Sequence, residues 1–210
     1  MIQPGDFIPL AEEIGLIVPL GEWVIRQSCL EAMRWPGEVR VAVNVSSLQF
    51  ADAARLVDVI SHALATSGLP GRRLEIEITE SVLLRDQSFV LAALHQLHAL
   101  GVRVAMDDFG TGYSSLSQLR SFPFDKIKID RSFVRTNDNP ASQNAIVRAI
   151  TALDISLGMQ TIAEGVETAG ELERVRAEGC RSVQGYLFSR PVPSSEIAAL
   201  LRRFATPILG

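Results

Sequence analysis

Six short runs rich in β-branched residues recur along the chain, separated by longer stretches whose apolar residues repeat at helical spacing. The runs are VRVAVNVS (Val39–Ser46), LEIEITE (Leu74–Glu80), VRVAMDD (Val102–Asp108), KIKID (Lys126–Asp130), MQTIAE (Met159–Glu164) and CRSVQGYLF (Cys180–Phe188). The helical stretches are Leu20–Met33, Asp52–Ser67, Gln87–Leu100, Ser142–Leu157, Ala169–Glu178 and Ser194–Phe204. Such alternation is the pattern of parallel strands joined by crossover helices, so the fold class is α/β. No glycine-rich phosphate turn follows the first strand, which favours a TIM-type (β/α) barrel over a dinucleotide-binding doubly wound sheet. Periodicity alone leaves both open.

Composition narrows the setting. With 210 residues and 47% apolar side chains, the chain has material for one sizeable core and is read as a single domain over 1–210. A formal charge of −4 supplies no basic field for duplex nucleic acid. Cys29 and Cys180 stand far apart without metal-ligand spacing, as reduced thiols do. No charged-then-apolar leader opens the chain, and no apolar run reaches the roughly 18 residues of a membrane span, so the expectation is a cytoplasmic, soluble protein.

Strand alternation sorts the polar residues. Ala42 and Asn44 share one face, as do Glu75, Glu77 and Thr79, then Arg103, Ala105 and Asp107, then Lys126, Lys128 and Asp130. The opposite faces carry Val41, Val43, Ile76, Ile78, Val102, Val104, Ile127 and Ile129, suited to packing under helices. In a barrel the polar set points into the lumen near the C-terminal strand ends, where active sites are built. A stability-only lumen would be aliphatic. Several carboxylates sharing it repel unless a cation sits among them, and Lys128 is the obvious internal one. Asn44, Glu77, Asp107, Asp108 and Glu164 are hard oxygen donors suited to Mg²⁺ or Mn²⁺, and two such ions about 3.5–4 Å apart serve phosphodiester chemistry. Adjacent Asp107 and Asp108 fit a shared site if one points inward along the strand and the other turns in at the bend before Gly110. His62, His95, His98, Trp23 and Trp35 read as helix-face or packing residues. RSFV and ELERVRAE read as solvated helix surface, and Glu75 and Glu167 as structural ion-pair members.

The ordered strings FIPLAEEIGLI, VNVSSLQF, LEIEITES, MDDFGTGYSSLSQLRSFPFDKIKIDRSFV, TIAEGVET and QGYLFSRPVP resemble the EAL-domain family of bacterial cyclic di-GMP phosphodiesterases. The resemblance runs from about Pro4 to Pro193. It implies that Asn44, Glu77 and Asp107 bind one metal ion and that Asp107, Asp108 and Glu164 hold a second. Lys128 matches the lysine on the hydrolytic water, Asp130 and Gln184 match residues lining the site, and Glu80 matches the glutamate pinning the loop Asp108–Leu116. In the family this loop also forms a dimer contact, which the resemblance implies here. The implied reaction opens cyclic di-GMP to pGpG.

The sequence also departs from the family. It contains no Glu-Ala-Leu tripeptide, and its six strands match a barrel of eight short of the first two. The expectations are a two-ion site with one ion weakened, hydrolysis lowered or lost, and, as the alternative, a non-catalytic cyclic di-GMP-binding or scaffolding module. The chain is read as a natural truncation, a fragment or a degenerate member, with a missing N-terminal segment or regulatory domains. Open edges at Val39–Ser46 and Cys180–Phe188 predict a homodimer or other self-association.

Overall fold

The structure is a computed structural model that describes residues 2–84, 86–110, 116–135 and 140–205. The chain divides into two compact units. The first is built from the stretches up to Ile78, from 86 to Arg103 and from Val192 onward. The second takes Thr79–Leu84 and Val104–Pro191.

In the first unit, helices α1 (Pro4–Glu13) and α2 (Ile17–Ala32) precede strand β1 (Val41–Asn44). Helix α3 (Ala53–Ser67) leads to β2 (Leu74–Thr79), followed by α4 (Gln87–Ala99); α9 (Ser194–Ala205) belongs here too. Strands β1 and β2 pair in parallel with Asn44 opposite Glu77. Helix α3 shows why these residues fold locally. Asp52 caps its start by accepting the Arg55 N–H at 3.1 Å, and Gly68 ends it in the left-handed region at φ +74°. Between them Leu56, Val57, Ile60 and Ala63 form one buried stripe, which packs on α2 and α4. Each large aliphatic so buried contributes about 1.5–3 kcal/mol.

In the second unit, β3 (Arg103–Phe109), whose first residue falls in the first unit, is followed by α5 (Leu116–Ser121) and β4 (Lys126–Ile129). The short α6 (Arg131–Val134) precedes α7 (Pro140–Leu157), β5 (Gln160–Ala163), α8 (Ala169–Ala177) and β6 (Ser182–Val183). Strand β3 pairs with β4, β4 with β5 and β5 with β6, all in parallel. Val134, Ala163, Val166, Val175 and Cys180 form a buried cluster under them. Six strands among the described residues is the number read from the sequence.

Several expectations change in the structure. Strand β6 is two residues, not the nine of Cys180–Phe188. Gly185 explains the early end, because a Cβ there would lie 2.1 Å from the Val166 carbonyl oxygen, and the chain turns at once with Phe188 N–H donating to Gly185 O at 3.1 Å. Trp23 is 57% exposed and is not a packing residue. It lies with Leu10, Ile14 and Leu16 among the exposed apolar side chains of α1, α2 and the turn between them. RSFV is helical, yet Val134 is buried; a single helical turn still has an inner side. The ELERVRAE run is only partly solvated: Glu178 is buried against Arg148, and Arg174 reaches back to α6. Charges every third or fourth residue return to one helix face, so a charged run carries an inward set as well. His62 and His95 are exposed and His98 is half-buried on their helices.

Candidate functional site

The second unit gathers charge at the C-terminal ends of its strands. Asp107 on β3 and Lys128 on β4 are both buried, at 8% and 3% exposure, and Glu164 directly follows β5. The Lys128 ammonium donates to Asp107 Oδ1 at 3.0 Å and to Glu164 Oε1 at 2.8 Å. Two carboxylates thus share one ammonium, and a third, Asp108, lies beside them. Asp107, Asp108 and Glu164 each present an oxygen within 4.8 Å of the others, and no histidine joins such a group among the described residues.

Adjacent residues reach one place because β3 breaks. Its register against β4 shifts between Met106 and Phe109, and Asp108 takes φ +52°, the one non-glycine residue with positive φ among those described. A bulge of this kind re-aims a side chain, and aspartate tolerates the left-handed region better than most residues. The Asp108 N–H donates to Asp107 Oδ1 at 3.0 Å, and the Gly110 N–H donates to Glu80 Oε1 at 2.9 Å. Glu80 thus bonds the residue at the end of the bend. Thr111 to Ser115, the rest of the loop assigned to it, lie outside the described residues.

The field at the bend is negative. Burial, then the charges of Asp107 and Asp130, push the Asp108 carboxyl above its ordinary range, against the pull of Lys128 and Arg131. Asp130 behaves differently. Burial pushes it up, but bonds from the Ser132 hydroxyl and amide and from the Arg131 amide outweigh that and hold it low. Asp130 caps α6, accepting the Ser132 N–H at 2.9 Å. Gln184 follows β6, its N–H donating to Ala163 O at 2.8 Å and its carbonyl accepting from Val166 N–H at 3.1 Å. In the first unit, Asn44 is exposed and Glu77 buried, paired in register at the ends of β1 and β2.

Sequence reasoning missed Asp125. Its carboxylate accepts the Val104 N–H at 2.8 Å, its own N–H donates to Val104 O at 2.9 Å, and its carbonyl accepts from Gln160 N–H at 2.8 Å. Placed immediately ahead of β4, Asp125 thereby ties it to the starts of β3 and β5. The signal in FDKIKID was an acidic residue immediately ahead of a strand. Gly165 was missed as well: at φ +68° its Cα lies so close to Arg131 that a Cβ would come within 2.5 Å of that side chain.

Parallel strands with crossover helices and an acidic cluster at their C-terminal ends define an α/β protein of the TIM-type barrel class with a divalent-metal type of donor set. The EAL domain family model matches residues 1–191, and the chain belongs to that family. Its fold is the TIM-type α/β fold of EAL structures, with six parallel strands among the described residues. The chain is 44% identical to the bifunctional diguanylate cyclase/cyclic di-GMP phosphodiesterase MucR of Pseudomonas aeruginosa over 203 residues, 95% of this chain and 30% of MucR. The structure of the PaMucR phosphodiesterase with c-di-GMP superposes with a TM-score of 0.88 at 45% identity, covering 93% of this chain and 87% of that one. The manganese and cyclic di-GMP complex of Klebsiella pneumoniae BlrP1 superposes with a TM-score of 0.73 at 32% identity, covering 84% and 45%. The chain spans 24% to 31% of the length of the curated relatives. No helix among the described residues is long and apolar enough to cross a membrane.

Proposed function

We propose that this chain carries a metal-dependent phosphodiesterase site that opens one phosphodiester of cyclic di-GMP, yielding pGpG. The observation that carries the reading is the convergence of Asp107, Asp108 and Glu164 within 4.8 Å, with Lys128 bonded to two of them. Three carboxylates around one ammonium leave an excess of negative charge, and the donors are all hard oxygens, so the residues fit Mg²⁺ or Mn²⁺. Asp107, Asp108 and Glu164 would hold the metal; Asn44 and Glu77, in the first unit, match further positions of the family's ligand set. A bound divalent ion supplies Lewis acidity toward a phosphate oxygen and acidifies water.

This chain's own groups do the rest. The Lys128 ammonium orients the attacking water, Asp130 and Gln184 contact the nucleotide, and Glu80 holds the bend through the Gly110 amide. The relatives' names and the c-di-GMP complex of the structural neighbour support the choice of substrate. The 210 residues contain no Glu-Ala-Leu tripeptide, so turnover by these residues alone is expected to be slow. One missing electrostatic partner costs about 10²–10³ in rate. The exposed apolar side chains of α1 and α2 support self-association as part of the same proposal.

The test has two arms. Calorimetric titration of Mn²⁺ into the wild type and Asp107→Asn should show binding that weakens about tenfold or more in the variant. Chromatography of cyclic di-GMP after incubation with Mn²⁺ should show slow formation of pGpG, lost in Lys128→Ala. Equal Mn²⁺ binding by both proteins overturns the metal site. Nucleotide binding with no turnover in the wild type replaces the enzyme with a receptor.

A further inference from the structure

A four-residue helix has carbonyls that no later turn of its own can satisfy. In α6 the Arg135 N–H takes Arg131 O at 2.9 Å, and side chains from two other helices take the next three. Gln143 on α7 donates through Nε2 to Ser132 O at 2.7 Å. Arg174 on α8 donates through both Nη atoms to Phe133 O at 3.4 Å and through Nη2 to Val134 O. Its Nη1 also donates to Asn144 Oδ1 at 2.9 Å, which fixes the plane of the guanidinium. The result reaches the bend of β3. The Phe133 ring lies against Gly110, where a Cβ would come within 2.9 Å of Cε2, and Gly110 is the residue whose N–H Glu80 accepts.

We infer that Arg174, seconded by Gln143, is a positioning residue: it locks α6 so that Phe133 backs Gly110 and holds the Asp107–Asp108 bend in its metal-binding geometry. The inference rests on the metal-dependent reading above. Without the guanidinium, the Phe133 and Val134 carbonyls turn to water and the single turn frays. Phe133 then loses its seat. Gly110, at φ +98° with no side chain of its own, then relies on its amide bond to Glu80. Asp108 is two residues away in a conformation that persists only when its surroundings enforce it.

Arg174→Met keeps the aliphatic stem and removes the donors; Arg174→Lys restores one charged donor. Amide hydrogen exchange at Gly110 in metal-free protein is the first readout, with the β4 amide of Ile129 as the internal reference, and Mn²⁺ affinity is the second. Arg174→Met should speed Gly110 exchange about tenfold while leaving Ile129 protected, and should weaken Mn²⁺ about tenfold. Arg174→Lys should recover part of both. Unchanged exchange at Gly110, or equal acceleration at Ile129, overturns the inference. If Arg174→Met does not fold, Phe133→Leu, with Arg174 intact, must loosen Gly110 in the same selective way. A wild type that binds no Mn²⁺ refutes the metal reading alone, and Gly110 exchange still decides the role of Arg174.

Discussion

Two buried cations, Arg73 in the first unit and Lys128 in the second, are used in opposite ways. In the first, buried Arg73 spends its guanidinium on backbone, donating to Val39 O at 2.9 Å and Ala32 O at 2.7 Å, while pairs such as Arg72–Glu38 lie in solvent with side chains 64% and 68% exposed. In the second, Lys128 is bonded to two carboxylates from other strand ends, and Asp108 and Asp130 add further negative charge. Arginine stapling carbonyls is structural work, and nothing about it calls for a ligand. A carboxylate excess held around one ammonium is poorly compensated by protein alone, which is why such a cluster marks a site rather than a core.

Lys128→Met should test that contrast most severely. It strands Asp107 and Glu164 without their shared cation and should cost about 3–5 kcal/mol by chemical denaturation. Arg72→Ala in the first unit should cost under about 1 kcal/mol, since exposed pairs are screened. Equal costs would break the distinction between the two units.

Close backbone approach sharpens the comparison at intermediate size. Gly185→Ala would drive a Cβ to 2.1 Å from Val166 O and 2.4 Å from Val166 N, backbone that cannot rotate away. It should lower stability by about 2–3 kcal/mol. Gly21→Ala in the first unit meets first the end of the Gln49 side chain, at 2.4–2.6 Å. Its cost should stay near 1 kcal/mol, because that amide can shift at the expense of its bond to Ser46 N–H. Thermal melts of both variants decide the order.

The smallest effect should have the opposite sign. Asp108 holds its proton to higher pH in the folded chain than in the unfolded one, through burial and the charges of Asp107 and Asp130. The native state therefore binds more protons across the carboxylate range, and stability is lost as pH rises through the folded value. Asp108→Asn removes that loss and keeps a residue at home at φ +52°. In metal-free protein it should melt slightly higher than wild type at neutral pH, by less than about 1 kcal/mol, with the advantage vanishing in acid. A variant less stable than wild type at neutral pH would show that Asp108 is compensated within the unit.

Alternation of strand and helix patterns determined the α/β class, the six strands and most of their limits, because a period of 2 or 3.6 is a local property that neighbouring residues report together. It also placed Asp107 and Lys128 on polar strand faces. The left-handed break that brings Asp108 round beside Asp107 was legible only as a bend before Gly110. The chain did not disclose that Lys128 would bond both Asp107 and Glu164, that Asp125 would tie three strands, or that Arg174 would leave its charged run to cap a turn 40 residues earlier. Those partners lie far apart in sequence and meet only once parallel strands and their crossover helices are packed. Such pairings are chosen by which buried donors and acceptors the packing leaves unsatisfied, and a one-dimensional pattern holds no record of that remainder.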